Sequence, residues 1–236
     1  MRSMTVREST GIPAALFDFD GTIIRVDTTV SMLRFLVRHF PAALKDLAPL
    51  AVTWPAFLCG AASRESLKAI AVRSLRNIPR QSREGFFRDF HDRCLLPRYL
   101  PGAIERIHRH REQGHTLVLV SASIDLYLRH TARHLGFDHL VCTRASLEPD
   151  PRLLSPNCHG NEKVRRLSGE EFFRHTIWKD SWAYGDDVSD VPMLEVSGHP
   201  VAVNPRRRLK RHATRAGWEI LEWQEGRRGP RTPRDG

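Results

Sequence analysis

The sequence predicts an α/β fold, a doubly wound parallel sheet carrying an inserted all-helical block. Three observations predict it. From Pro101 onward, short apolar runs alternate with stretches of helical periodicity, the pattern of strand–helix units that build a parallel sheet. Between the first apolar run and Pro101 only helical spacing appears. Several apolar runs end in polar residues suited to chemistry, and ligands of such sheets bind beyond the carboxyl ends of the strands.

The elements follow in order. Ala14 to Phe19 is a short apolar run that reads as a buried strand. From Thr28 the apolar positions Val30, Leu33, Phe35, Leu36 and Val37 fall at helical spacing, and helical patterns continue through Leu44–Leu50, Ser66–Leu75 and Arg83–Leu95. Prolines 41, 49, 55, 79 and 97 punctuate this block. Pro101–Gln113 reads as a helix closed by Gly114, Thr116–Val120 as a buried strand, and Asp125–Leu135 as a helix closed by Gly136. A strand at Leu140–Thr143 precedes an irregular connection over 144–160. Helices follow at Glu162–Leu167 and Glu170–Phe173, then a strand at Trp182–Tyr184 and a short helix at Val191–Val196. The series ends with a strand at Val201–Val203, a helix at Arg206–Ala216 and a last strand within Trp218–Trp223. There is no internal repeat.

Composition narrows the function classes. The chain has 236 residues, 41% of them hydrophobic, enough for a real core. The first ten residues lack the apolar core of a secretory signal. Four scattered cysteines without a CxxC pair suggest neither zinc nor disulfides and fit a reducing cytoplasm. The stretch Leu47–Ser63 is uncharged but interrupted by two prolines and a glycine. It reads either as a helix–turn in a packed bundle or as a peripheral contact with an anionic membrane surface. The net charge of +10 permits nucleic acid, acidic membrane or phosphorylated small molecules as partners. It concentrates at Arg206–Arg211 and in the tail 224–236, a Pro-, Gly- and Arg-rich segment expected to be disordered. Aromatic residues do not interleave with the basic ones, so nucleic acid is not the expected partner.

The chemistry concentrates at the ends of the apolar runs. Asp18 and Asp20 flank Phe19 just after the first run, and residues two apart on a strand share a side. Two carboxylates that close need compensation to stay ionised. A magnesium ion supplies it, since Mg²⁺ takes one or two carboxylates plus phosphate oxygens. Asp186, in "YGDDVSD", would complete such a site; Lys163 would offset charge on nucleophile and phosphate; and the Ser121 hydroxyl, with neighbouring backbone N–H groups, would bind phosphate oxygens. Asp190 reads equally as a helix N-cap and as a site residue.

In their order, "DFDGT", "VSAS", "NEKV" and "GDDVSD" resemble the four motifs of the haloacid dehalogenase superfamily, and the resemblance runs from Ala14 to Trp223. A helical block between the first two motifs resembles the phosphoserine-phosphatase type of cap. Longer phrases such as "SASIDLYLRHTARHLGFD" and "YGDDVSDVPMLEVSGHPVAVNP" look like the bacterial subfamily IB hydrolases, near phosphatidylglycerophosphatase C. The resemblance implies a core at 11–24 and 99–223, a helical cap at 25–98 and a basic tail at 224–236. It implies that Asp18 attacks phosphorus, forming an aspartyl-phosphate, while Asp20 protonates the leaving alcohol and then activates water. Lys163 would be the supporting cation, and Ser121, Ala122, Gly21 and Thr22 would surround the phosphate. Mg²⁺ would sit on Asp18, Asp186 and the Asp20 backbone carbonyl, with Asp190 orienting Lys163 or a metal-bound water.

Asp20 argues against dehalogenation, which uses one aspartate and no metal, and for phosphate ester hydrolysis. The spacing of Asp27, seven residues past Asp20, matches the amine-binding acid of phosphoserine phosphatases, and Lys68 their carboxylate-binding cap cation. Asp27 reads more readily as an ordinary N-cap before the helix from Thr28. That family has glycines after the second-motif serine, whereas this chain reads Ser121-Ala122-Ser123, which puts phosphoserine in doubt. The expected function is a cytoplasmic, Mg²⁺-dependent phosphatase acting on a phosphorylated metabolite or a lipid head-group phosphate. Phosphotransfer from the same aspartyl-phosphate and a non-enzymatic nucleic-acid-binding protein are the alternatives.

Overall fold

In the computed structural model, which describes residues 11–224, the first strand β1 (Ala14–Phe17) lies at the centre of the sheet. All four of its residues are buried, because alternate side chains enter cores on opposite faces. Ala15 and Phe17 join one core with Leu117, Leu119 and Tyr184, while Ala14 and Leu16 join the other with Val118, Val120 and Ala183.

Five helices follow: α1 (Thr28–His39), α2 (Ala43–Leu47), α3 (Leu50–Leu58), α4 (Arg64–Ser74) and α5 (Arg83–Phe90), the last running into a π-helical turn at His91–Leu95. The chain then alternates through α6 (Pro101–Glu112), β2 (Thr116–Ile124), α7 (Asp125–Leu135) and β3 (His139–Thr143). A small hairpin of β4 (Ala145–Ser146) and β5 (Arg152–Leu153) precedes α8 (Asn161–Leu167) and α9 (Glu171–Arg174). The last elements are β6 (Trp182–Gly185), α10 (Val191–Leu194), β7 (His199–Val203), α11 (Arg207–Ala216) and β8 (Glu219–Leu221).

The six-stranded sheet has the order β3-β2-β1-β6-β7-β8, and every neighbouring pair is parallel. The carboxyl ends of β1, β2 and β6 therefore lie side by side, although they fall at Phe17, Ile124 and Gly185 of the sequence. The helical insertion leaves at this same edge. Its Met32, Phe35, Phe86 and Phe90 belong to the same core cluster as Phe19 and Tyr127, so one continuous apolar core holds the helices over the strand ends. An aromatic chain makes the join, with Phe35–Phe90 and Phe90–Tyr127 ring centroids 5.6 and 5.4 Å apart.

Several expected boundaries shift. β1 ends at Phe17, since Asp18 donates its N–H to the Tyr184 carbonyl at 2.9 Å and then turns out of the sheet. β2 runs to Ile124, past the expected end at Val120, with a bulge in its pairing to β3. The connection over 144–160 contains the β4–β5 hairpin, too short to show a periodicity. The expected helix Leu44–Leu50 is two helices, α2 and α3, with Pro49 immediately before α3 and Pro55 inside it. α3 has no buried residue, so the interior hydrogen bond that Pro55 removes is lost where water can replace it. Of the tail 224–236, residues 225–236 lie outside the described residues, as does the N-terminal stretch 1–10.

His110 on α6 fastens that helix to the sheet. The ring is buried, with Nε2 2.7 Å from the Tyr184 hydroxyl and Nδ1 2.8 Å from His115 Nδ1. Burial pushes its pKa down to about 3, and His115, Arg106 and Arg109 add to the effect. The folded state thus prefers the neutral ring, while the unfolded chain takes up a proton below about pH 6.5. Stability from this site is complete above that pH and is lost as pH falls toward about 3. The expected loss between pH 7 and pH 5 is about 2 kcal/mol. Urea denaturation at the two pH values, on wild type and His110→Asn, checks it: the variant should be weaker at pH 7 yet lose less on acidification.

Candidate active site

Beyond Phe17 the chain reverses in a tight loop: the Thr22, Ile23 and Ile24 N–H groups all reach the Phe19 carbonyl, and the Gly21 N–H reaches the Ile24 carbonyl at 2.6 Å. Gly21 has φ of +92°, and a Cβ there would fall 2.2 Å from Asp186 Oδ2. Only glycine lets this loop and the end of β6 approach so closely. The Gly21 and Thr22 N–H groups are both used inside the loop. The Thr22 hydroxyl is buried with no partner among the described residues.

Lys163, buried on α8, donates to Asp18 Oδ1 at 2.6 Å and to Asp190 Oδ1 at 2.7 Å. Asp190 Oδ2 in turn accepts the backbone N–H groups of Asp186 and Asp187, which shapes the turn after β6. Asp187 caps that turn by accepting from the Ser189 N–H. Burial pulls the Lys163 pKa down, but Asp18 and Asp190 outweigh it and hold the ammonium charged.

Asp18, Asp186 and Asp190 each place a carboxylate oxygen within 4.8 Å of the others; among the described residues they form the one such cluster of three. Against them stand the buried Lys163 and the exposed Arg206, whose Nε lies 3.2 Å from Asp186 Oδ2. Burial raises the pKa of Asp18, and it pushes Asp186 up to about 7 with Asp190 adding to the effect. This excess of buried negative charge, on hard oxygen donors, fits a small divalent cation.

Asp20 faces elsewhere. Its carboxylate accepts from the Thr28 hydroxyl at 2.8 Å and from the Ser123 hydroxyl at 3.2 Å, so any ligand it offers at the cluster is its backbone carbonyl. Burial pushes its pKa up to about 6 against the opposing hydrogen bond from Thr28. The Ser121 Oγ is buried at the end of β2 and accepts the Ser123 N–H at 3.0 Å. The Ala122 carbonyl takes the Thr143 hydroxyl at 2.6 Å. It also takes Lys68 Nζ, which reaches Asn157 Oδ1 as well. Burial lowers the Lys68 pKa to about 8. Lys68 therefore spans from α4 to the sheet on protein acceptors. Asp27 is the N-cap of α1, accepting from the Val30 N–H at 2.9 Å.

The three aspartates of the cluster and Asp20, with Lys163, Ser121, Ala122, Ser123, Asp27 and Lys68, border one cavity of about 310 Å³. Gly21 and Thr22, expected to surround the phosphate, do not line it, and their N–H groups are spent inside the loop. Its floor holds Asp18, Asp20, Ser121, Lys163 and Asp186, its rim Arg64, His159 and Arg206, and its ceiling Leu33, Leu50, Trp54, Phe57 and Leu67. Sequence reasoning did not single out Thr28, Tyr127, Asn157, His159 or Arg206 for the site. Ser123 was noted only as a departure from glycine, and Arg206 only as part of a basic run.

A parallel α/β sheet with a helical insertion, and a cluster of buried carboxylates with a lysine over its carboxyl edge, defines a class of hydrolase. The chain belongs to the haloacid dehalogenase-like hydrolases: that family matches residues 15–195. A probable phosphatase of Mycobacterium tuberculosis is 28% identical over 220 residues, covering 89% of this chain and 75% of that protein. Among solved structures, a Bordetella pertussis Tohama I protein of unknown function superposes with a TM-score of 0.80 at 23% identity, covering 90% of this chain and 99% of that one. A phospho-aspartyl intermediate analogue of a phosphoserine phosphatase superposes with a TM-score of 0.62 at 19% identity, covering 91% and 95%. These two likenesses are of fold. Within its family the chain is a phosphoric monoester hydrolase.

Removing the ammonium tests how the site is held. Lys163→Met should destabilise the protein by about 3–5 kcal/mol in the presence of a chelator, since it leaves Asp18 and Asp190 buried without their cation. Urea denaturation of both proteins measures it; an unchanged midpoint would show the bridge to be structurally idle.

Proposed function

We propose that the chain is a Mg²⁺-dependent phosphatase that hydrolyses a phosphate monoester through an aspartyl-phosphate on Asp18. The observation that supports it is the Asp18 carboxylate held on Lys163 and clustered with Asp186 and Asp190, with Asp20 held apart on the same cavity floor. One Asp18 oxygen attacks phosphorus, and the bond from phosphorus to the ester oxygen breaks. Asp20 gives its proton to the leaving alkoxide. Asp20 then takes a proton from water, whose oxygen attacks phosphorus and frees the Asp18 carboxylate with release of phosphate. Lys163 offsets the charge of nucleophile and phosphoryl oxygens throughout. Mg²⁺ on Asp18, Asp186 and the Asp20 backbone carbonyl would neutralise the phosphoryl group as the carboxylate approaches.

For the organic part of the substrate, the ceiling is the guide. Leu33, Leu50, Trp54, Phe57 and Leu67 suit an apolar group better than the ammonium and carboxylate of an amino acid. Lys68 and Asp27, the residues at the amino-acid-binding spacing, are engaged by the protein itself. We therefore favour phosphate esters of apolar alcohols, whether a metabolite or a lipid phosphate. α3 carries Val52, Trp54 and Leu58 at 76, 52 and 70% exposure, an apolar surface suited to peripheral membrane contact, and the net charge of +10 would favour an anionic one. No helix among the described residues is long and apolar enough to cross a membrane. The four cysteines are unpaired, in keeping with the proposed cytoplasmic location.

A panel of phosphate esters assayed with Mg²⁺, with excess chelator, and with Asp18→Asn tests the chemistry. Activity should appear with the metal, disappear with the chelator, and fall by at least about a thousandfold in the variant; wild-type rates in Asp18→Asn would refute the nucleophile. For the ceiling, Trp54→Ser should raise KM for hexyl phosphate about tenfold while leaving glycerol phosphate nearly unchanged. Equal shifts for both esters would remove the apolar subsite.

A further inference from the structure

The departure of this chain from glycine at Ser123 places a hydroxyl against Asp20. Ser123 Oγ donates to Asp20 Oδ2 at 3.2 Å, and Thr28 Oγ1 donates to Asp20 Oδ1 at 2.8 Å. The Thr28 N–H adds a longer contact to Oδ2 at 3.3 Å. Thr28 Oγ1 is itself 2.9 Å from the Tyr127 hydroxyl and 2.8 Å from Ser123 Oγ. All three side chains are buried, Thr28 and Tyr127 fully and Ser123 at 2% exposure. They come from three separate elements: the first turn of α1, the end of β2, and α7. One assignment of the protons gives each Asp20 oxygen a hydroxyl donor and leaves the 2.8 Å Thr28–Ser123 contact without a proton of its own. Tyr127 donates to Thr28, Thr28 and Ser123 donate to Asp20, and the Ser123 N–H goes to Ser121 Oγ. A core that needed only filling would use valine, alanine and phenylalanine here, because buried hydroxyls must be partnered.

We infer that Thr28, Ser123 and Tyr127 are positioning residues that aim the Asp20 carboxylate at the ester oxygen of the substrate. This rests on the proposed role of Asp20 as the proton donor. Donors on both Asp20 oxygens fix the rotation of the carboxyl group and leave its remaining lone pairs toward the cavity. Thr28 opens the helical insertion, so the seating of that insertion over the sheet and the aim of the acid are set by the same contact.

The test uses the leaving group. Proton donation matters greatly for an alkoxide and little for p-nitrophenolate, which departs without it. With p-nitrophenyl phosphate and benzyl phosphate as probes, kcat/KM reports the steps through the first phosphoryl transfer. Thr28→Val, Ser123→Ala and Tyr127→Phe should each lose about tenfold to a hundredfold on benzyl phosphate and less than about threefold on p-nitrophenyl phosphate. Thr28→Ser should restore the wild-type ratio. The ratio of the two esters does not depend on how much of a variant is folded, so partial misfolding does not blur the result. Asp20→Asn supplies the reference. If it is selective for benzyl phosphate while the three variants hold the wild-type ratio, the positioning set is refuted and the acid stands. If Asp20→Asn affects both esters equally, the reading of Asp20 falls and this inference with it; an active Asp18→Asn would instead refute the nucleophile.

Discussion

The ammonium of Lys163, buried between Asp18 and Asp190, is the contact on which the site depends. It joins the loop after β1, the start of α8 and the turn after β6, three pieces that the chain keeps far apart. A charged group taken out of water is stable only where partners are held in close geometry, so this bridge demands that the three pieces stay in register. The parallel sheet provides the register: β1 pairs directly with β6, and Asp18 continues that pairing through its N–H to the Tyr184 carbonyl.

Once that register is set, the two aspartates of the first loop part company. Asp18 turns toward Lys163 and the acidic turn, where excess negative charge favours a cation. Asp20 turns toward hydroxyl donors. In the proposed mechanism one carboxylate acts on phosphorus and the other carries a proton, and their surroundings make the difference rather than their chemistry. The absence of a side chain at Gly21 lets Asp186 close on this loop; any Cβ would push the acidic turn away from Asp18.

The helical insertion completes the enclosure in two ways. Its inner aromatic residues merge with the core around Tyr127 and Phe19, which fixes it over the strand ends. Its third helix shows the reverse: apolar all round and with no buried residue, it closes the cavity on one side and meets solvent on the other. An apolar helix left exposed costs solvation free energy, which a substrate or surface of matching polarity would recover.

Much of this was legible in the chain. The buried strands announced themselves as short apolar runs, and the insertion as helical spacing. Asp18, Asp20, Asp186 and Asp190 stood out as acidic residues where apolar runs end, and Lys163 as a lysine at the start of a helix, because apolar periodicity and charge are local properties that survive in one dimension. The boundaries of β2, the split of α2 from α3 and the small hairpin were not legible, since each depends on which hydrogen bonds win once neighbours are in place. Nor were the partners of Asp20. Thr28 and Tyr127 look like ordinary helix residues until folding brings α1, β2 and α7 together, and Lys68 looks like a substrate contact until the fold supplies Ala122 and Asn157 as its partners, whereas the N-cap role of Asp27 was legible from its place before α1. The sequence by itself determined which segments are apolar and which charged groups flank them; only the tertiary structure decided which of those groups face one another, because electrostatic and hydrogen-bond energies depend on distances that no spacing along the chain encodes.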